Sequence, residues 1–149
     1  MYTIGQVSEM FQIPISTLRY YDREGLFPDM QRTSGIRRFT EKEIDILRVI
    51  ECLKMSGLEL KEIRQFIKWC QEGSQTYEKR YDLFQKRKAA VEAELEQMKK
   101  VLDMICFKCW YYGQAMKDGS EERLSQMLPD KLPEEIQAIY DHAHEKPQP

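Results

Sequence analysis

The chain has 149 residues, of which 42% are hydrophobic and 32% are charged, and its net charge at pH 7 is −2. This length allows one small core and one extended element, so the composition excludes a large multidomain enzyme. The near-zero net charge gives no overall basic signature. Residues 19–38, however, contain five arginines and only three carboxylates, so this segment is locally basic.

Two short helices joined by a tight turn are predicted at the start of the chain. Thr3 can cap the first, over residues 3–12, where Ile4, Val7 and Phe11 recur at helical spacing. Residues 13–15 leave room only for a turn, and a second helix follows over residues 16–24, with Ser16 as its predicted cap. This arrangement is typical of a helix-turn-helix.

The second helix has two different faces. At 100° per residue, Leu18 and Tyr21 lie on one side, where they predict core packing, while Arg19, Tyr20 and Arg23 lie on the other. Periodicity alone leaves two interpretations of that polar face, a DNA-binding surface or an ordinary solvated surface. After the helix, residues 29–39 predict a short hairpin around a turn at residues 33–35.

Two further helices are predicted to close the first domain. Thr40 and Glu43 form a capping box, and this helix runs to about Ser56, with Gly57 beyond it. The next covers about residues 60–72 and ends at Gly73. The apolar residues expected to face the core are Ile46, Leu47, Val49, Ile50 and Leu53 on the first helix and Ile63, Phe66 and Ile67 on the second.

Residues 76–117 predict one long helix, because they contain no proline and only one glycine, Gly113. Two heptad positions are apolar except at Lys88, and they identify a dimerisation seam consisting of Tyr77, Tyr81, Phe84, Val91, Leu95, Met98, Leu102, Ile105, Cys109 and Tyr112. Such a helix is about 60 Å long and cannot bury its apolar stripe within its own domain. A second copy is the simplest partner, with another protein or the chain's own tail as alternatives.

The remaining residues form an acidic tail, with seven carboxylates against three basic residues from position 119 onward. Residues 133–145 predict a short helix, and the tail is too small for an independent ligand-binding domain. His142 and His144 do not share a helix face, which argues against a metal site.

The ordered motifs of about the first seventy residues resemble the MerR family of bacterial transcription regulators. The matching segments are Ile4-Gly5, Ser16 to Leu26 with its Thr-Leu-Arg-Tyr-Tyr core, Gly35-Ile36-Arg37, and residues 57–63. The resemblance implies a mainly α fold with a winged helix-turn-helix DNA-binding domain over residues 1–73. An antiparallel coiled-coil dimerisation helix over residues 74–117 and a short helical tail over residues 118–149 would follow.

The same resemblance implies a homodimer that binds a pseudo-palindromic promoter operator and acts on RNA polymerase by distorting the DNA. Arg19 is expected to bind bases, and Tyr20, Arg23, Arg32, Arg37 and Arg38 to hold phosphates. The candidate DNA-binding residues are Ser16, Thr17, Arg19, Tyr20, Arg23, Arg32, Arg37 and Arg38. An accessory or architectural DNA-binding protein without a sensor is the alternative function.

Cys52 is the candidate sensor, because Arg48 lies one turn before it and a guanidinium can activate a thiol. Its position matches a cysteine in the branch of the family that responds to aldehydes and other electrophiles, whose Ser-Gly-Ile-Arg wing this chain shares. The competing interpretation is a small buried hydrophobe. Cys109 is interpreted as a coiled-coil core residue and Cys106 as its flank, in preference to a metal site, which needs two more ligands.

No feature of the sequence predicts catalysis, a cofactor or a membrane partner. A glycine-rich phosphate loop is lacking, no nucleophile has an evident base, and both histidines lie in the tail. The absence of a leader and of an eighteen-residue apolar run predicts a cytoplasmic protein, in which the four cysteines are reduced.

Overall fold

The computed structural model describes residues 1–145. It is mainly helical and carries one small hairpin, which confirms the predicted fold class. In chain order, the described elements are α1 (Ile4–Phe11), α2 (Ile15–Arg23), β1 (Gln31–Thr33), β2 (Ile36–Arg38), α3 (Glu41–Met55), α4 (Leu60–Glu72), a 3₁₀ turn (Ser74–Thr76), α5 (Tyr77–Asp118), α6 (Glu122–Met127) and α7 (Glu134–Ala143). Helix α6 was not predicted from the sequence.

The turn between α1 and α2 depends on backbone conformations at Gln12 and Pro14. Thr3 caps α1 as predicted, and Gln12 ends the helix with a left-handed φ of 56°. The predicted capping role of Ser16 is wrong, because α2 begins at Ile15 with Pro14 as its N-cap and no side chain caps it. The carbonyl of Pro14 instead accepts from the amides of Thr17 and Leu18, so Ser16 lies within the first turn.

Strands β1 and β2 form the predicted hairpin. Their register pairs Gln31 with Arg38 and Thr33 with Ile36, which leaves a two-residue turn. Ser34 and Gly35 both have positive φ, 51° and 77°, as expected in a turn that matches the natural twist of a hairpin.

The core of the first domain lies where α1 to α4 meet. Val7, Leu18, Tyr21, Leu47 and Ile63 are buried there together with the residues that surround them. The predicted apolar faces of α3 and α4 are confirmed except at Val49, which is exposed. Val49 instead lines a groove of about 400 Å³ between α3 and α4.

Two compact units divide the described chain, and the division falls within α5. The first extends from Met1 to Ala89 and the second begins at Ala90. In the second unit, α6 and α7 pack on α5 around Phe107, Tyr111 and Leu124. The tail therefore contributes two helices to a small core that it shares with α5, instead of the single helix predicted.

All ten seam residues are exposed in the single chain, from Phe84 at 38% to Met98 at 65% among the large apolar ones. The positions on α5 that contact the tail, such as Phe107 and Trp110, belong to other heptad positions. At 100° per residue these positions lie away from the seam. The tail thus leaves the apolar stripe uncovered.

Candidate nucleic-acid interface

Helix α2 separates its core face from its polar face as the periodicity predicts. Leu18 and Tyr21 are buried, whereas Ser16, Arg19, Tyr20 and Arg23 are exposed and Thr17 is half-buried. The guanidinium carbon of Arg23 lies 5.9 Å from the centre of the Tyr20 ring. The exposed face therefore combines cations, an aromatic ring and a hydroxyl, which are groups that bind phosphates and base edges.

Tyr21 fixes α2 against α3 through a polar contact that the periodicity of the sequence does not predict. Its hydroxyl donates to Glu51 Oε1 at 3.2 Å and accepts from Lys54 Nζ at 2.6 Å. Burial raises the pKa of Tyr21, and the bond to that hydroxyl raises the pKa of Lys54. The tyrosine thus stays a neutral donor, and it anchors the helix that presents Arg19.

Asp22 connects α2 to the hairpin. Its Oδ2 accepts from Nη2 of Arg32 and from Nε of Arg37, each at 2.7 Å. The Asp22 side chain is only 7% exposed, so water screens these contacts little. Both arginines were predicted to hold phosphates, and the structure gives them an additional part in orienting the hairpin relative to α2.

The charge that remains around α2 is positive. Glu24, the second carboxylate of this segment, pairs with Arg64 at 3.3 Å. Among the side chains of residues 1–145, no carboxylate lies within ion-pairing distance of Arg19, Arg23 or Arg38. These three guanidiniums are therefore available to an anionic ligand.

The four cysteines are free and exposed. For Cys52 this exposure excludes the interpretation as a buried hydrophobe. Arg48, the guanidinium expected to activate it, binds Asp45 Oδ1 at 2.7 Å. Among residues 1–145, no three or more metal-ligating side chains lie close enough together to hold an ion.

Comparison with known proteins identifies the family. The model of the MerR HTH family regulatory proteins matches residues 2–68, from α1 into α4. An HTH-type transcriptional regulator of Haemophilus influenzae is 37% identical over 120 residues, covering 80% of this chain and 89% of the relative. The chain belongs to the MerR family. This MerR protein is accordingly a transcriptional regulator, as its relatives are, and not an enzyme.

Solved structures of MerR regulators share the fold. HiNmlR, a MerR family regulator that lacks the sensor domain and was crystallised bound to promoter DNA, is 36% identical with a TM-score of 0.65. The match covers 82% of this chain and 98% of that one. A MerR regulator of Bacillus thuringiensis is 41% identical with a TM-score of 0.60, and the match covers 72% of this chain and 96% of that one.

Within residues 1–145, no helix combines the length and apolarity needed to cross a bilayer.

Proposed function

We propose that this MerR protein works in the cytoplasm as a homodimer, whose two α2 helices bind the halves of a pseudo-palindromic promoter operator. Binding distorts the promoter, at a cost of several kcal/mol that protein contacts offset, and so changes its use by RNA polymerase. Contact with the polymerase is indirect, through the DNA. The uncovered apolar seam of α5 is the observation that carries this proposal.

The seam favours a second copy over the other two partners considered. It runs along α5 from Tyr77 to Tyr112, and the tail packs on different heptad positions, so the tail does not occupy it. Two copies of one helix cover such a stripe when they pair antiparallel about a centre near Leu95. The homologue HiNmlR was crystallised on promoter DNA, which supports the same function for this chain.

Within each half-site, Arg19 is assigned to the bases and the remaining cations to the phosphates. Arg19 is exposed on the polar face of α2, and a guanidinium can bind guanine through two hydrogen bonds. Ser16, Thr17, Tyr20 and Arg23 surround it. From the hairpin, Arg38 presents a guanidinium that is free of carboxylates, while Arg32 and Arg37 share Asp22.

The deciding experiment replaces Leu95, at the proposed centre of the seam, by lysine. Two lysines would face each other across the two-fold axis, so we expect a monomer in sedimentation equilibrium. Because each monomer can bind only one half-site, affinity for the full operator should fall by at least about a hundredfold. Ala93→Lys adds the same charge at an exposed position outside the seam and serves as the matched control.

Three outcomes would contradict the proposal. Leu95→Lys could remain dimeric, or the monomer could bind the full operator as tightly as the wild type. An operator-bound dimer that leaves transcription unchanged in a purified system would favour an accessory DNA-binding protein instead. Circular dichroism of both variants verifies that α5 still forms.

For the signal, we propose Cys52 as the site of modification by electrophiles such as aldehydes. Its sulfur would add to the carbonyl carbon while the carbonyl oxygen takes up a proton, giving a hemithioacetal with no leaving group. The exposure of Cys52 on α3 supports access.

The adduct should raise the intact mass by the mass of the aldehyde, and the aldehyde should change transcription. Both effects should disappear in Cys52→Ser and persist in a Cys106→Ser control, whose thiol is also exposed but lies outside the seam. A Cys52→Ser protein that responds like the wild type would refute this role.

A further inference from the structure

One histidine of the tail lies between two carboxylates of α5. His142, on α7, bonds through Nδ1 to Asp103 Oδ2 and through Nε2 to Glu96 Oε1, the second at 2.7 Å. Glu96 and Asp103 are seven residues apart, so they share one face of α5 two turns from each other. All three residues lie in the second compact unit.

The two contacts require a protonated ring. A neutral imidazole has a single N–H, whereas an ionised carboxylate can only accept, so only the imidazolium donates to both residues. The two ring nitrogens point in opposite directions, which suits two separate acceptors and not one shared metal ion. The hydrogen bond to Asp103, and next that to Glu96, raises the pKa of His142.

The other charges around this cluster are distributed over both helices. The hydrogen bond from His142 lowers the pKa of Glu96, and the charges of Lys99 and Lys100 on α5 lower it further. Lys100 also pairs with Glu145 at 3.7 Å. On α7, Asp141 accepts from Gln137. His144, the C-cap of α7, bonds through Nδ1 to the carbonyl of Tyr140, and its ring stacks on the Tyr140 ring at 4.0 Å.

We propose that protonated His142 is a pH-operated latch, which holds α7 on α5 and releases it when the ring loses its proton. The remaining attachment is small, since none of the residues of α7 is fully buried. It rests mainly on half-buried apolar side chains such as Ile136 and Tyr140, whose ring lies 5.0 Å from that of Phe107. Loss of the imidazolium leaves Glu96 and Asp103 facing a ring that can satisfy only one of them.

The direction of the pH effect follows from the raised pKa. The latch contributes its full stabilisation below the pKa of a free imidazole, about 6.5, and loses it as pH rises through the higher pKa of the folded protein. Release at alkaline pH would expose the aromatic face of α5 around Phe107 and Trp110. This inference is independent of the proposed DNA-binding function.

The test follows the two histidines of the full chain by NMR, and His144→Gln assigns their signals. We expect the titration midpoint of His142 to lie above that of a free imidazole, and to fall by about one pH unit or more in Asp103→Asn and in Glu96→Gln. In parallel, hydrogen exchange corrected for intrinsic rates measures the protection of the α7 amides. Their protection should decrease about tenfold for each pH unit between the free and folded midpoints.

His142→Gln should give low protection of α7 that no longer depends on pH, while His144→Gln should keep the pH dependence of the wild type. Two results would overturn the latch. One is a wild-type α7 whose protection is unchanged while His142 deprotonates, a measurement that needs no variant. The other is a His142 midpoint that is unaffected when either carboxylate is neutralised.

Discussion

At the scale of single residues, Asp22 on α2 binds two of the three arginines of the hairpin. A carboxylate so well shielded from water is stable as an anion only when cations or donors surround it, and Arg32 and Arg37 meet that requirement. The same contact sets the orientation of the hairpin relative to α2. Under the proposed function, stability and DNA binding therefore both depend on one side chain, which itself carries the wrong charge to contact DNA.

Replacing Asp22 by asparagine should weaken both properties. The amide keeps the shape but removes the charge, which leaves two guanidiniums facing a neutral group. We expect a loss of roughly 1–3 kcal/mol in the free energy of unfolding, measured in urea, together with weaker operator binding.

Asp45→Asn is the matched control, since its pair with Arg48 is about two thirds exposed and should contribute less than about 1 kcal/mol. Equal losses of unfolding free energy in the two variants would mean that the Asp22 contact stabilises the fold no more than an exposed ion pair does. A stable Asp22→Asn protein with unchanged operator affinity would contradict the role of Asp22 in orienting the hairpin.

At the scale of elements, the sequence predicts helices well where local signals define their ends. The capping residue Thr3, the capping box at Thr40 and the glycines at 57 and 73 are such signals, and those boundaries were right. Ser16 was misassigned because a proline carbonyl can accept the first amides without any side-chain cap. Helix α6 was missed because its six residues are too few to establish a helical period.

The contacts between elements could not be predicted in the same way. Arg80, in the first turn of α5, donates to the carbonyls of Trp69 and Gly73 at the end of α4. One heptad later, Nε of Arg87 donates to the carbonyl of Ser56 at the end of α3. Pairs such as these join residues up to 31 positions apart, and periodicity carries no information about them. They fasten the start of α5 to the ends of both preceding helices, where a cation also stabilises the helix dipole.

Gly57→Ala should reveal how much Arg87 contributes to the stability of the fold. Gly57 follows α3 with a φ of 89°, and a Cβ at this position would collide with the guanidinium of Arg87. The substitution therefore adds the loss of a charged hydrogen bond to the backbone strain, giving a total of roughly 2–3 kcal/mol by thermal or urea unfolding.

Gly25→Ala provides the matched control. Gly25 ends α2 with a φ of 77° and the same pattern of backbone bonds, but a Cβ there would lie 4.0 Å from Cδ of Arg64, an ordinary contact distance. This variant should lose only about 1–2 kcal/mol. If Arg87 accounts for the difference, the effects of Gly57→Ala and Arg87→Ala will not add in the double variant, whereas additive losses would exclude it.

At the scale of the whole molecule, the net charge of −2 conceals a basic surface on α2 and the hairpin. The tail is net acidic, with seven carboxylates against three basic residues from position 119 onward. Affinity for DNA should consequently follow the local cations and not the overall charge. Because each phosphate contact releases counterions, the slope of log K against log salt concentration counts such contacts.

Arg38→Ala should reduce this slope by about two. One phosphate contact contributes about 0.9 to the slope on duplex DNA, and a two-fold symmetric dimer makes each contact twice. Arg38 suits the measurement better than Arg32 or Arg37, since changing those residues would also disturb Asp22. Arg123→Ala, which removes a cation paired with Asp118 in the tail, is the charge-matched control and should leave the slope unchanged. A reduction near one would indicate a single bound copy, and an unchanged slope in Arg38→Ala would remove this arginine from the phosphate contacts.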